Sequence, residues 1–196
     1  MKILIVDDSA AHQRAAVEQF KGSGHELFGF QSEASWECAE RTGEPLGEIY
    51  KDGLGYITGG FHPENAVVPP PADVALIDLL MPPSDRMQSQ ESLTQKHGEM
   101  PVGIFLALLA AKRGVKLVAV FTDSDHHSHP ASACIDAFQK SESKPIPFTV
   151  DGAQVFLVNN RLWFTTNSKG ERVKDWAALL KYMLEYVPEA AETRAG

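Results

Sequence analysis

Residues 3–9 read ILIVDDS: four aliphatic side chains run directly into two carboxylates and a serine. Aliphatic residues on both faces of a strand are typical of the middle of a parallel sheet, where helices cover both faces. Ser9 or Asp8 can cap a following helix, which we expect to end at about Gly22. The stretch therefore predicts a buried first strand whose carboxyl end carries Asp7 and Asp8.

Two later stretches repeat this pattern of an apolar strand that ends on polar side chains. Residues 73–78 (DVALID) end at Asp78, and residues 117–123 (LVAVFTD) end in a Thr-Asp pair that begins at Thr122. Strands that alternate with helices predict an α/β fold with a doubly wound parallel sheet and right-handed crossovers. Ligands bind outside the carboxyl ends of such strands, so we expect these polar side chains at one edge of the sheet, beside the carboxylates of the first strand.

Three carboxylates at one edge predict a bound cation. Two carboxylates about 4 Å apart repel by roughly 4 kcal/mol at an effective dielectric of about 20, and a divalent ion such as Mg²⁺ would compensate. Asp78 stands alone on its strand and is the expected nucleophile for a phosphoryl group, which leaves Asp7 and Asp8 for the metal. The Thr122 hydroxyl can donate to the transferred phosphoryl oxygens.

Taken in order, the stretches ILIVDDS, VALIDLLMPP and VAVFTD resemble the receiver domain of two-component response regulators. The resemblance implies a flavodoxin-like sheet with strand order 2-1-3-4-5, and phosphorylation of Asp78 by a partner histidine kinase or phosphotransfer protein. It implies Mg²⁺, with Mn²⁺ as a second candidate, held by Asp7, Asp8, Asp78 and the backbone carbonyl of Leu80. Thr122 would be the switch hydroxyl. On this interpretation the chain is not an enzyme, apart from taking a phosphoryl group from a donor and slowly losing it.

The family also places a lysine, usually followed by proline, at the end of its fifth strand. Lys144 precedes a proline, but the QKSES segment around it is too polar for a buried strand. The better fifth strand is 153–158 (AQVFLV), on which Phe156 takes the place of the switch aromatic that the resemblance implies. On that alignment the family lysine is absent, and Lys144 is the alternative.

We expect one domain over residues 1–188, followed by a frayed tail at 189–196. The insertions are expected at about 43–72, 84–99 and 140–152. Residues 146–166 read as a meander with an extra C-terminal hairpin, in which DG and NN form two-residue turns. The last helix is predicted over about 173–187 (VKDWAALLKYMLEYV).

A cluster of histidines, HHSHP at 126–130, directly follows the fourth predicted strand. Imidazoles bind metals or titrate near neutral pH, but this spacing matches no standard zinc motif. A polar loop that leads into a helix explains the stretch. The alternative is that His126, His127 or His129 contacts the metal or phosphoryl pocket.

Two other functions are open at this stage. One is a pseudo-receiver, an interaction module that acts without phosphorylation, which the absent lysine and the large insertions favour. The other is a metal-dependent hydrolase that uses the acidic edge together with the histidines. Against it, the DxD pair of the common aspartate-dependent phosphatases is absent after the first strand.

Composition excludes several further classes of function. The net charge of -8, with 18 lysines and arginines that form no cluster, argues against nucleic-acid binding. Two isolated cysteines without CxxC spacing indicate neither a zinc site nor a disulfide framework. The longest apolar run, 101–111, is too short to span a bilayer, and no signal peptide opens the sequence. We therefore expect a cytoplasmic protein without membrane insertion.

Overall fold

The computed structural model describes residues 1–30, 72–81, 100–124, 129–136, 138, 144–159 and 161–186. The strands are β1 (Lys2–Val6), β2 (Glu26–Phe30), β3 (Val74–Asp78), β4 (Leu117–Phe121), β5 (Phe148–Val150), β6 (Ala153–Val158), β7 (Phe164–Thr166) and β8 (Arg172–Lys174). The helices are α1 (Ala10–Phe20), α2 (Val102–Lys112), α3 (Pro130–Ile135) and α4 (Trp176–Glu185). Within these ranges, no helix is long and apolar enough to cross a membrane.

The main sheet has the strand order β2-β1-β3-β4-β6-β5. The first five strands in that order pair in parallel, and β5 joins the edge antiparallel to β6. With β6 as the fifth parallel strand, this is the predicted flavodoxin-like order, and the α/β prediction is confirmed. The crossing point between β1 and β3 lies at the strand ends that carry the predicted acidic residues.

Alternate side chains of the central strands enter two separate cores, one on each face of the sheet. Leu4 and Val6 pack on one face with α2 and α3, whereas Ile3 and Ile5 pack on the other with α1 and α4. Burial on both faces explains why these strands are continuous apolar runs rather than alternating apolar and polar ones.

The segment after β4 differs from the predicted meander. The DG turn is confirmed: Asp151 and Gly152 have φ of 50° and 79° and join β5 to β6 in a hairpin. Residues 148–152 therefore belong to the sheet edge, not to an insertion. The predicted NN hairpin is wrong, because a 3₁₀ turn (Arg161–Trp163) follows β6 and β7 pairs with β8 in a separate two-stranded sheet.

The last helix begins later than predicted. Asp175 caps it by accepting a hydrogen bond from the Ala178 N–H at 2.9 Å, so α4 starts at Trp176. Val173 and Lys174, which were predicted inside this helix, lie in β8 instead. This difference of three residues places Lys174 at the end of a strand.

Several predictions lie outside the described residues. They are most of the insertion at 43–72, the insertion at 84–99, the histidines His126 and His127, and the tail at 189–196.

Candidate functional site

Three carboxylates meet where β1 and β3 end. Val6 and Ile77 are register partners in the parallel pair, so Asp7 and Asp78 each follow directly at the same edge. One carboxylate oxygen from each of Asp7, Asp8 and Asp78 lies within 4.8 Å of the others. Asp7 and Asp78 are buried and Asp8 is half-buried. The structure thus brings together the three acidic residues predicted from the sequence.

Lys174 lies between two of these carboxylates. Its Nζ donates to Asp7 Oδ2 at 2.7 Å and to Asp78 Oδ1 at 2.5 Å, and its side chain has no solvent exposure. Burial by itself lowers the pKa of a lysine, but the Asp7 and Asp78 carboxylates outweigh burial and raise the pKa of Lys174. Lys174 is therefore a charged ammonium buried at the centre of the site, and sequence reasoning missed it.

The pKa of the Asp78 carboxyl is raised above its ordinary value. Burial raises its pKa to about 8, against the lowering effect of the Lys174 ammonium, and the Asp7 charge raises it further. A cation that contacted Asp78 would favour the ionised form. The carboxyl is therefore sensitive to any ligand that changes the charge around it.

Asp7 is oriented from several sides. Its Oδ1 accepts the Ser9 N–H at 2.8 Å, its Oδ2 accepts from Lys174, and its backbone carbonyl accepts from the Gln13 side chain at 2.6 Å. Charge-assisted bonds of this kind hold a carboxylate firmly in one rotamer. Asp7 is thus a fixed element of the site.

Thr122 follows β4, the strand next to β3. Phe121 is the register partner of Asp78, which places Thr122 one residue beyond the level of that carboxylate. Thr122 is buried, and its Oγ1 accepts the Ser124 N–H at 3.1 Å. The next residue, Asp123, is exposed and pairs with His12 at 3.2 Å, and that bond lowers the pKa of Asp123 to about 2.

Helix α2 begins directly on the backbone that follows Asp78. The Gly103 N–H donates to the Leu79 carbonyl at 3.0 Å, and a Cβ on Gly103 would lie 2.0 Å from the Asp78 carbonyl oxygen. Only glycine permits this approach. Leu80, whose carbonyl was predicted to bind metal, is buried in the same turn, and that role stays a prediction.

Three other predicted site residues lie elsewhere. Lys144 is exposed, with its Nζ 5.4 Å from the centroid of the Tyr182 ring, so the lysine at the carboxylates is Lys174 and not Lys144. Phe156 has no exposure and packs against Tyr182 of α4 and against Tyr186, which directly follows that helix, so it is a core residue rather than a surface aromatic. His129 caps α3, since its Nδ1 accepts the Ala131 N–H at 3.1 Å.

The donor set fits a hard divalent cation. Asp7, Asp8 and Asp78 offer oxygen atoms only, which Mg²⁺ and Mn²⁺ prefer over nitrogen or sulfur. The Lys174 ammonium offsets one of the three negative charges, so a cation would balance the remainder. These residues would hold such an ion at the carboxyl edge of the sheet.

Comparisons with known proteins found likeness in structure. No protein-family model matches the chain, and no curated protein matches it. The chain is similar in structure to response regulator receiver domains. One is the Mn²⁺-bound form of response regulator Rcp1, at 18% identity, with 96% of this chain and 99% of that chain covered and a TM-score of 0.39.

A second similar solved structure is the N-terminal domain of a response regulator/sensory box/GGDEF three-domain protein from Carboxydothermus hydrogenoformans. It shares 11% identity, with 82% of this chain and 81% of that chain covered and a TM-score of 0.37.

Proposed function

We propose that this chain is a receiver-type signalling switch that takes a phosphoryl group onto Asp78 from a partner histidine kinase or phosphotransfer protein. One observation carries the proposal. The Asp78 carboxyl ends a central strand, contacts the buried Lys174 ammonium, and lies within 4.8 Å of two further carboxylates. A single aspartate at the end of a strand most often forms a turn. Turn formation does not explain why a buried ammonium and two further carboxylates lie beside Asp78.

The residues of this site suit phosphoryl transfer. An Asp78 oxygen attacks phosphorus, the bond from phosphorus to the donor breaks, and the donor leaves with that electron pair. The product is an acyl phosphate on Asp78. Mg²⁺ or Mn²⁺ on Asp7, Asp8 and Asp78 would supply charge neutralisation during the transfer.

Lys174 and Thr122 then hold the product. Formation of the acyl phosphate ends the ionic contact between Lys174 and the free Asp78 carboxylate, so the ammonium can donate to a phosphoryl oxygen instead. The Thr122 hydroxyl can move from its contact with the Ser124 N–H to the same group. Attack of water on phosphorus breaks the bond to the Asp78 oxygen, releases inorganic phosphate and returns the free carboxylate. We propose no other catalytic role for the chain.

The test is intact-protein mass after incubation with acetyl phosphate and Mg²⁺. The wild type should gain one phosphoryl group, and Asp78→Asn should not. Asp73→Asn is the matched control, because Asp73 lies at the opposite end of the same strand, is exposed, and contacts the Lys2 N–H. A gain by Asp78→Asn, or no gain by the wild type when Mg²⁺ binding is shown separately, would overturn the proposal.

A specific observation also favours the pseudo-receiver. Lys174 contacts two of the three carboxylates through short charge-assisted bonds, which reduces the negative charge that a metal ion would otherwise have to offset. On that reading, binding of a protein partner would survive Asp78→Asn. The mass experiment separates the two functions, since a pseudo-receiver gains no phosphoryl group.

A further inference from the structure

Lys174 lies at the end of a short strand, β8, which cannot fix the position of the ammonium by itself. Lys174 ends β8, whose ladder consists of three residue pairs with β7 outside the main sheet. An isolated two-stranded hairpin is marginally stable in water. The position of the ammonium therefore depends on what holds the main chain of β8.

Two side chains of α1 hold that main chain on either side of Lys174. His12 Nδ1 accepts the Lys174 N–H at 3.4 Å, and Gln19 Nε2 donates to the Lys174 carbonyl at 2.9 Å. His12 and Gln19 are seven residues apart, about two helical turns, so they lie on the same face of α1. Both backbone polar groups of Lys174 are thus satisfied by one helix face.

His12 also reaches the loop that follows Thr122. Because Nδ1 accepts from Lys174, the neutral imidazole carries its proton on Nε2, which donates to Asp123 Oδ2 at 3.2 Å. The carbonyl of His12 accepts the Trp176 indole N–H at 3.1 Å, which ties the start of α4 to the same turn. The imidazole is buried, so its contact with the Lys174 N–H is protected from competing water.

We propose that His12 is a positioning residue for Lys174, and that its Nδ1 keeps the ammonium between Asp7 and Asp78. The inference rests on the proposed function for its kinetic consequence, since the reaction uses that ammonium at the phosphoryl group. A misplacement of about 1 Å at a reacting centre can cost about a hundredfold in rate. His12 itself touches neither carboxylate and acts through the Lys174 backbone.

Two substitutions separate the two contacts of the imidazole. In His12→Asn, Oδ1 stands where Nδ1 stood, so the acceptor for the Lys174 N–H is kept and the contact with Asp123 is lost. In His12→Gln, the terminal amide reaches the place of Nε2, so the contact with Asp123 is kept and the acceptor for Lys174 is lost. The pair therefore tests which contact matters.

The first readout is the initial rate of the mass gain on Asp78 as the acetyl phosphate concentration is varied. At saturating donor, His12→Gln should be slower than wild type by about tenfold or more, whereas His12→Asn should stay within about threefold. Equal losses in the two variants, a larger loss in His12→Asn, or no loss in either would overturn the positioning role.

The second readout does not depend on phosphorylation. Amide hydrogen exchange of the Lys174 N–H should be about tenfold faster in His12→Gln than in wild type or His12→Asn, because its acceptor is gone. Equal exchange in the two variants would overturn the inference. If the wild type takes no phosphoryl group, the proposed function fails while exchange still decides whether His12 holds Lys174.

Gln19→Leu tests the second hydrogen bond between α1 and the main chain of Lys174. The substitution removes the donor to the Lys174 carbonyl and keeps a side chain of similar size. It should speed exchange of the Lys174 N–H and slow the mass gain, even if His12→Gln does not fold. If Gln19→Leu changes neither the exchange of the Lys174 N–H nor the rate of the mass gain, α1 does not hold Lys174 in place.

Discussion

Replacement of Lys174 by Met removes the buried ammonium and keeps most of the side-chain volume. The remaining Asp7 and Asp78 oxygens, within 4.8 Å of each other, repel by roughly 3 kcal/mol or more at an effective dielectric of about 20 when both are ionised. Loss of one partner from a buried ion pair typically costs about 3–5 kcal/mol. We therefore expect the free energy of unfolding at pH 10 to fall by about that amount.

The loss should depend on pH in a defined direction. In the wild type the folded pKa of Asp78 is about 8, above its ordinary value of 3.8, so the folded chain holds the extra proton between these values. This group therefore makes stability fall as pH rises through that window. Since Lys174 lowers the pKa of Asp78, its removal extends the window upward, so the variant goes on losing stability above pH 8, where the wild type no longer does. The loss in the variant relative to the wild type should therefore be larger at pH 10 than at pH 5.

Urea unfolding at pH 5 and pH 10, without divalent ions, measures this difference. Lys181→Met is the matched control: Lys181 is exposed on α4, and its pair with Glu185 at 4.0 Å should contribute less than about 1 kcal/mol. A loss below about 1 kcal/mol for Lys174→Met at pH 10, or equal losses at both pH values, would refute the reasoning. Added Mg²⁺ should restore part of the stability of this variant.

Three further predictions follow from the site. Gly103→Ala should lower stability by about 1–3 kcal/mol and slow the mass gain on Asp78, because the new Cβ meets the Asp78 carbonyl; thermal unfolding with the mass assay checks this. Asp123→Asn should flatten the loss of stability between about pH 4 and pH 2, since the folded pKa of Asp123 is about 2, while His12→Asn should do the same. Mg²⁺ binding near pH 7 should release a proton from Asp78, and calorimetry in two buffers of different ionisation enthalpy would show none if Asp78 is not a ligand.

The strands followed from local pattern, and their order followed from the resemblance of three motifs to receiver domains. Each apolar run that ends on a carboxylate or threonine has the length and side chains of a buried strand, and parallel strands must present these ends at one edge. The DG turn could also be predicted from the sequence, because only a few residue types accept positive φ at two successive positions.

The role of Lys174 was not predicted, because residues 172–174 (RVK) continue directly into the amphipathic sequence DWAALLKYMLEYV, and the pattern predicts one continuous helix. Two signals were present in the sequence: an NSKG turn at 167–170 and Asp175 as a helix cap before WAALL. Neither could say that the short strand would place its lysine between carboxylates some 100 or more residues away in sequence.

Sequence alone determined the class of the sheet and the acidic residues at its edge, since periodicity and strand ends are local properties of the chain. The strand order came from the resemblance of three motifs to receiver domains. Only the tertiary structure decided which cation sits among those acids and what holds it there. Those contacts join β1, α1, β3 and β8, and a contact between distant segments depends on how the whole chain packs.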